Sequence, residues 1–316
     1  MNKQFILKLI AALSIILLAA GCNAKEADSN QAKDEKKEAS AQKTEKKVKE
    51  DELSAEEIFE KANESFQEWP GISGRLQGVT NARLAEGKER LTLNEEMDAE
   101  LKLKTDPFAM QMTGNTVTDG EKMSLSSYYK DKTLYYEPSP DEGWFAIDDE
   151  GPGSPFPGNL KENPADLINI YHEIIKELQK ANISHEYLKK SEEDSQYVLS
   201  LNLDKKAIAT VKDQIYKLVE YNLEGEVQDT ETLFKNLEVK RLHITFNIGK
   251  KTAALKKMKA QINYSLVLDG TKITMESTQA LNDLKKYTGD ITVPDEVMKN
   301  AYEVTKQELE DATQLQ

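Results

Sequence analysis

The chain has 316 residues, 42 basic side chains against 56 acidic ones, a net charge of −14 and a single cysteine. One cysteine excludes an intrachain disulfide, so stability has to come from packing. The acidic excess excludes a nucleic-acid surface, because the lysine pairs (Lys189-Lys190, Lys205-Lys206, Lys250-Lys251, Lys256-Lys257, Lys285-Lys286) are scattered among acids and form no basic stripe.

Residues 1–21 have the three parts of an export signal: Lys3 and Lys8, an apolar stretch from Leu9 to Ala20, and small residues at Ala19, Ala20 and Gly21. At a rise of about 1.5 Å per residue the apolar stretch reaches roughly 18 Å, short of a hydrocarbon core of about 30 Å, so cleavage is expected rather than permanent spanning. Leu18-Ala19-Ala20-Gly21-Cys22 resembles the lipobox of bacterial lipoproteins, with Ala19 where that pattern prefers leucine. The resemblance implies cleavage between Gly21 and Cys22, a lipid on Cys22, and a location on the extracytoplasmic face of the cell membrane. Two acyl chains are what stable anchoring takes.

Residues 22–50 follow as a tether: from residue 23 onward they hold 8 lysines, 7 acidic residues and one branched aliphatic, Val48. Such a stretch cannot bury enough apolar surface to offset its ordering entropy. A flexible chain of that length spans about 30 Å, which makes it a spacer. Residues 51–316 keep 32 basic and 49 acidic side chains, so this body is repelled by anionic lipid and attachment falls to Cys22. With no Pro/Gly/Ser-rich break inside it, the body is read as one domain.

Its first element is a helix beginning after Ser54, where Ser54 and Glu57 form a capping box and Leu53 and Ile58 a hydrophobic staple. Ile58, Ala62, Phe66 and Trp69 recur at helical spacing until Pro70-Gly71 stops the run. The period then changes to two. Strands are expected at Ile72–Thr80, Arg90–Thr105, from Phe108 through Met110 and Met112, Lys122–Tyr129, Thr133–Glu137 and Trp144–Ile147, with turns at Asp106-Pro107 and Asp119-Gly120. In Arg90–Thr105, Leu91, Leu93, Met97, Ala99, Leu101 and Leu103 share one face and polar residues the other.

A loop is expected from Asp148 to Gly158, with Phe156 its apolar residue. A second helix then starts at Asn163-Pro164 and presents Leu167, Ile168, Tyr171, Ile174, Ile175 and Leu178. Strands return at His185–Lys190 and Tyr197–Leu203, a third helix runs over Lys205–Tyr221, and Thr230–Asn236 suggests a short fourth. Strands close the chain at Val239–Ile248, Ala253–Leu268 and Lys272–Gln279, and Ile291-Thr292-Val293-Pro294 leads to a helical tail. The order predicts an α+β fold: a curled antiparallel sheet, an unclosed half-barrel, with helices on its concave face.

Nothing in the pattern points to catalysis. His172, His185 and His243 have no shared neighbourhood in sequence, and His172-Glu173-Ile174-Ile175-Lys176 has lysine where a zinc-protease helix needs its second histidine. No G-x-S-x-G occurs, and Gly78–Lys88 lacks P-loop spacing. Neither a metal nor another cofactor is expected.

The lipobox, the tether, the S-x-E-E helix, the wide meander, the inserted helices and the Ile291-Thr292-Val293-Pro294 segment together resemble the LolA-like superfamily, and within it a group of lipoproteins from Gram-positive bacteria. The likeness covers residues 53 to about 303, and its most specific pieces are Asn247-Ile248-Gly249-Lys250-Lys251-Thr252 and the strands around Asp269-Gly270. It implies an apolar slot between sheet and helices that holds acyl chains. An acyl chain buried there gains about 0.8 kcal/mol per methylene. Adaptable side chains suited to line the slot are Met97, Met110, Met112, Met123 and Met275, with Phe108, Trp144 and Phe156; ordinary core packing is the other reading of each. The expected function is therefore a membrane-anchored protein that binds a hydrophobic ligand such as a lipid. The alternative is a tethered interaction module with a filled core, working by its surface on a protein partner in the cell envelope.

Overall fold

The computed structural model describes residues 53–304, apart from 88, 138–142, 149–163, 224–234 and 269. The export signal, Gly21, Cys22, the tether, Phe156 and most of the expected Thr230–Asn236 helix therefore lie outside the described residues.

Helix α1 (Ala55–Gln67) starts as the capping box requires: the Ser54 hydroxyl accepts from the Glu57 N–H at 3.1 Å, and the Glu57 carboxylate accepts from the Ser54 N–H at 2.7 Å. Six strands follow, β1 (Gly71–Glu86), β2 (Glu89–Thr105), β3 (Phe108–Thr118), β4 (Glu121–Lys130), β5 (Thr133–Glu137) and β6 (Phe145–Asp148). Next come α2 (Pro164–Lys180), a single helical turn α3 (Ser184–Tyr187), β7 (Leu188–Glu193), β8 (Gln196–Leu203), α4 (Lys205–Thr210) and α5 (Lys212–Leu223). The chain returns through β9 (Glu238–Gly249), β10 (Leu255–Leu268) and β11 (Thr271–Lys286) to α6 (Asp295–Asn300) and β12 (Tyr302–Val304).

Among the described residues all strands join one twelve-stranded sheet, in the order β12-β6-β5-β4-β3-β2-β1-β11-β10-β9-β8-β7, whose two ends are not paired with each other, so the sheet is unclosed. Two antiparallel meanders meet at its centre, where β1 pairs with β11 over most of its length, and β12 runs parallel to β6. This is the α+β, antiparallel-dominated architecture that the alternation predicts.

Register divides the side chains into two faces. Pairings such as Leu76 with Ala99 and Leu281, and Ala260 with Ile244, put the apolar residues of every long strand on one face, hereafter the apolar face. The opposite face carries Arg75, Gln77, Asp98, Lys259, Gln261 and their like. Several strands run further than expected, β1 to Glu86 and β11 to Lys286, because the alternation continues through Ala82 and Leu84 and through Leu281, and Leu284 is buried again after Asp283 takes a φ of 52°.

Three elements differ from expectation. The segment expected as a strand at His185–Lys190 opens with α3, since Tyr187 and Leu188 are both buried and consecutive burial breaks the alternation. The helix expected over Lys205–Tyr221 is divided at Val211, which leaves helical geometry at φ −110°, ψ 28°. After α6 the chain becomes β12 instead of a continuous helical tail, and Tyr302 donates its N–H to the Trp144 carbonyl at 2.8 Å.

Candidate functional site

The apolar face is covered unevenly. Helices α1, α3 and α4 lie on β7, β8 and β9, with α2 and α5 stacked against them. Under them the packing is solid: Leu199, Leu201, Leu203, Leu242, Ile244 and Phe246 are fully buried, as are Tyr171, Ile174 and Leu178 of α2. Phe246 is the pivot, edge-on to Phe59 of α1 at 4.8 Å between ring centres and to Tyr171 at 5.7 Å. Burial pushes the Tyr171 and Tyr264 phenols well above their ordinary pKa, and Tyr264 donates its hydroxyl to the Met275 sulfur at 2.8 Å.

Over β2–β6 the same face is incompletely covered. Met97, Leu101, Leu103 and Met110 are buried and form a floor, while Phe108, Met112, Leu125 and Tyr136 are packed against that floor but remain half-buried. Met123 is 45% exposed. Phe108 leans on Tyr129 at 5.1 Å, and Tyr136 stacks on Phe145 at 5.5 Å. In the middle of this surface the strands approach closely at Gly114, where an added Cβ would lie 2.1 Å from the Asp98 carbonyl oxygen and 2.5 Å from the Ala99 Cα. The result is a shallow apolar surface with flexible thioethers along it.

Of the residues expected to line a slot, Met97, Phe108, Met110, Met112 and Met123 lie together on this surface, in one register block of β2, β3 and β4. Met275 shares their face but is a core residue, fully buried and bonded by Tyr264, and so does not line an open surface. Trp144 is on the other face: it precedes the inward-facing Phe145 and packs on Tyr128, 5.6 Å away. Phe156 is outside the described residues. Sequence reasoning passed over Glu95, although the alternation from Leu93 to Met97 already puts it on the apolar face. It is half-buried there, opposite Thr80, and burial raises its carboxyl above the ordinary value.

On the opposite face a cavity of about 630 Å³ crosses β3, β2, β1, β11 and β10, lined by Gln77, Asp98, Lys259 and Asn282 together with the apolar Val79, Val117 and Ala280. Gln77, Asp98 and Asn282 are bonded to one another or to the adjacent Arg75: Arg75 holds Asp98 through two hydrogen bonds of 2.7 and 2.6 Å, and Asn282 donates to Gln77 at 3.0 Å. That ion pair lowers the Asp98 pKa. The three histidines are dispersed. His172 contacts Glu60 and Asn63 between α2 and α1, His243 lies between Ser200 and Gln261 on the polar face, and His185 is on α3. Among the described residues no group of three or more His, Cys, Asp or Glu side chains is placed to hold a metal ion, and no helix is long and apolar enough to cross a membrane.

A family model described as a family of unknown function (DUF6612) matches residues 54–302. The chain belongs to this family. No curated protein matches it. Among solved structures, lipovitellin, from a study of lipid–protein interactions, is similar at 9% identity and a TM-score of 0.27, over 71% of this chain and 26% of that one. The chain thus spans about a quarter of lipovitellin's length. A LolA superfamily protein from Nitrosomonas europaea is similar at 11% identity and a TM-score of 0.19, over 78% of this chain and 97% of that one. A domain from Vibrio parahaemolyticus described as an outer membrane lipoprotein-sorting protein is similar at 12% identity and a TM-score of 0.23, over 78% and 98%. With scores this low, none of these likenesses carries a functional argument, and the fold assignment rests on the strand order and register above.

Proposed function

We propose that this DUF6612 protein is a membrane-anchored, extracytoplasmic lipoprotein that binds a hydrophobic ligand on the half-covered apolar surface of β2–β6, without catalysing a reaction. The observation that carries the reading is the contrast across one face. Beneath the helices the side chains are sealed, whereas Phe108, Met112, Leu125 and Met123 keep apolar area in solvent that an acyl chain would cover. Unbranched methionines suit such a surface because they adapt to ligands of irregular shape. The export signal and the Leu18–Cys22 segment supply the anchoring part: the lipid on Cys22 holds the domain to the membrane, and residues 23–50 give it reach.

The test is extraction. Protein isolated from its native host without detergent is expected to yield an organic-soluble lipid, near one per chain by mass spectrometry, beyond the acyl groups on Cys22. An extract indistinguishable from that of a control protein refutes ligand binding.

The interaction module has its own supporting observation, the solid packing of Phe59, Tyr171 and Phe246 under the helices. On that reading the half-covered surface takes a protein partner in the envelope. Capture of a defined protein by the anchored domain, with an empty lipid extract, would favour it.

A further inference from the structure

Among the described residues the apolar face is interrupted by polar side chains at Ser127, whose Oγ has no hydrogen-bond partner, and, most extensively, across the centre of the sheet. Thr80 pairs with Glu95 on one side and Ser277 on the other, so the three occupy a single rung across β2, β1 and β11. Thr80 and Ser277 are each 3% exposed, and their hydroxyls lie 2.9 Å apart. On the next rung Gln279 is 1% exposed, and its Oε1 has no hydrogen-bond partner. Gln279 and Met97 converge over Gly78, where an added Cβ would meet Gln279 Cγ at 3.6 Å and Met97 Cε at 3.8 Å. Because position 78 has no side chain, the polar rung abuts the beginning of the half-covered surface directly. Glu95 is the accessible member, and Thr116 and Thr118 extend the polar strip onto β3 beside it.

The charged group of this strip is an acceptor. An ionised carboxylate only accepts hydrogen bonds and Gln279 Oε1 is left unanswered, while the second hydroxyl hydrogen of the Thr80–Ser277 pair and the Gln279 amide N–H groups are donors of the strip. Among the described residues no salt bridge reaches Glu95. A group that brings N–H or O–H would satisfy these acceptors. A carboxylate or phosphate would add more acceptors and place a like charge against Glu95 in a partly desolvated setting.

We infer that this rung receives the polar end of the ligand, and that the ligand is an amphiphile whose head donates hydrogen bonds and carries no negative charge, its chain lying along Met97, Met112 and Leu125. The inference rests on the ligand-binding reading above and narrows it to a class. Neutral hydroxylated heads, such as a monoacylglycerol, and cationic amine heads both belong to it; free fatty acids do not.

Calorimetric titration of the full chain with monodecanoylglycerol, decylamine and decanoate at neutral pH tests it. The first two are expected to bind about tenfold or more tightly than decanoate. Glu95→Gln should bring decanoate to within about threefold of the other two while the protein melts no lower than wild type, and Glu95→Ala should equalise them likewise. Decanoate binding as tightly as the others to the wild type, or a preference that survives both substitutions, overturns the assignment of the head group and leaves ligand binding intact. Failure of all three compounds to bind overturns both readings.

Discussion

The sharpest consequence of the uneven covering is a difference between two truncations on the same sheet face. Phe246→Ala removes a ring that is fully buried and packed edge-on against Phe59 and Tyr171. Such a change costs about 3–5 kcal/mol, of which each aromatic pair supplies roughly 0.5–1.5 kcal/mol. In a domain of this size about 1 kcal/mol moves the melting point by roughly 2–4 °C, so the expected fall is on the order of 6–20 °C. Met112→Ala removes a side chain that already has part of its area in solvent, and the expected loss is on the order of 1 kcal/mol, or a few degrees. Thermal and urea unfolding followed by circular dichroism measure both, with the urea dependence unchanged if only stability has altered. Equal losses for the two variants would mean that the surface of β2–β6 is packed as tightly as the helix-covered half, and the reasoning for a ligand surface would fail.

The other predictions address the strand crossing, the buried acid and the anchor. Gly114→Ala should destabilise by roughly 3 kcal/mol or abolish soluble expression, because the new Cβ meets backbone atoms that no rotamer can move; a melting point within a degree or two of wild type refutes the close approach. Glu95 has a folded pKa above its ordinary 4.5, so between those two values the folded chain holds a proton that the unfolded chain has released, and stability falls as pH rises through that window. Glu95→Gln should therefore raise the melting point at neutral pH and flatten its fall with pH above the ordinary carboxyl value; an unchanged slope contradicts a carboxyl held partly out of water. Cys22→Ala should leave an unprocessed precursor or release the protein from the membrane, and radiolabelled palmitate on the variant would contradict the lipobox reading.

Much of the sheet was readable because period-two alternation is a direct image of a face. The run from Leu91 to Leu103 placed β2 and its inward side correctly, and the capping box placed the start of α1. The same rule, applied without skipping a position, would have put Glu95 on the apolar side. Where alternation failed, the cause was local: two consecutive buried residues at Tyr187-Leu188 gave a helical turn, and Val211 interrupted a segment whose apolar spacing looked continuous. Which methionines stay open was not readable, since Met110, Met112 and Met275 occupy equivalent positions in their strands. Their exposure depends on which strands the helices cover, a property of tertiary packing that strand pattern does not encode. Trp144 was misplaced for a simpler reason: Phe145 and Ile147 take the inward positions of β6, so alternation puts Trp144 on the other face.

The central claim, that a hydrophobic ligand lies on β2–β6 and not beneath the helices, is tested most directly by photolabelling. A diazirine-bearing decyl amphiphile, irradiated with the protein and mapped by peptide mass spectrometry, should label peptides containing Phe108, Met112, Met123 and Leu125, with peptides of β8 and β9 unlabelled. Labelling confined to the polar face of the sheet, or spread evenly over every peptide, would contradict the account.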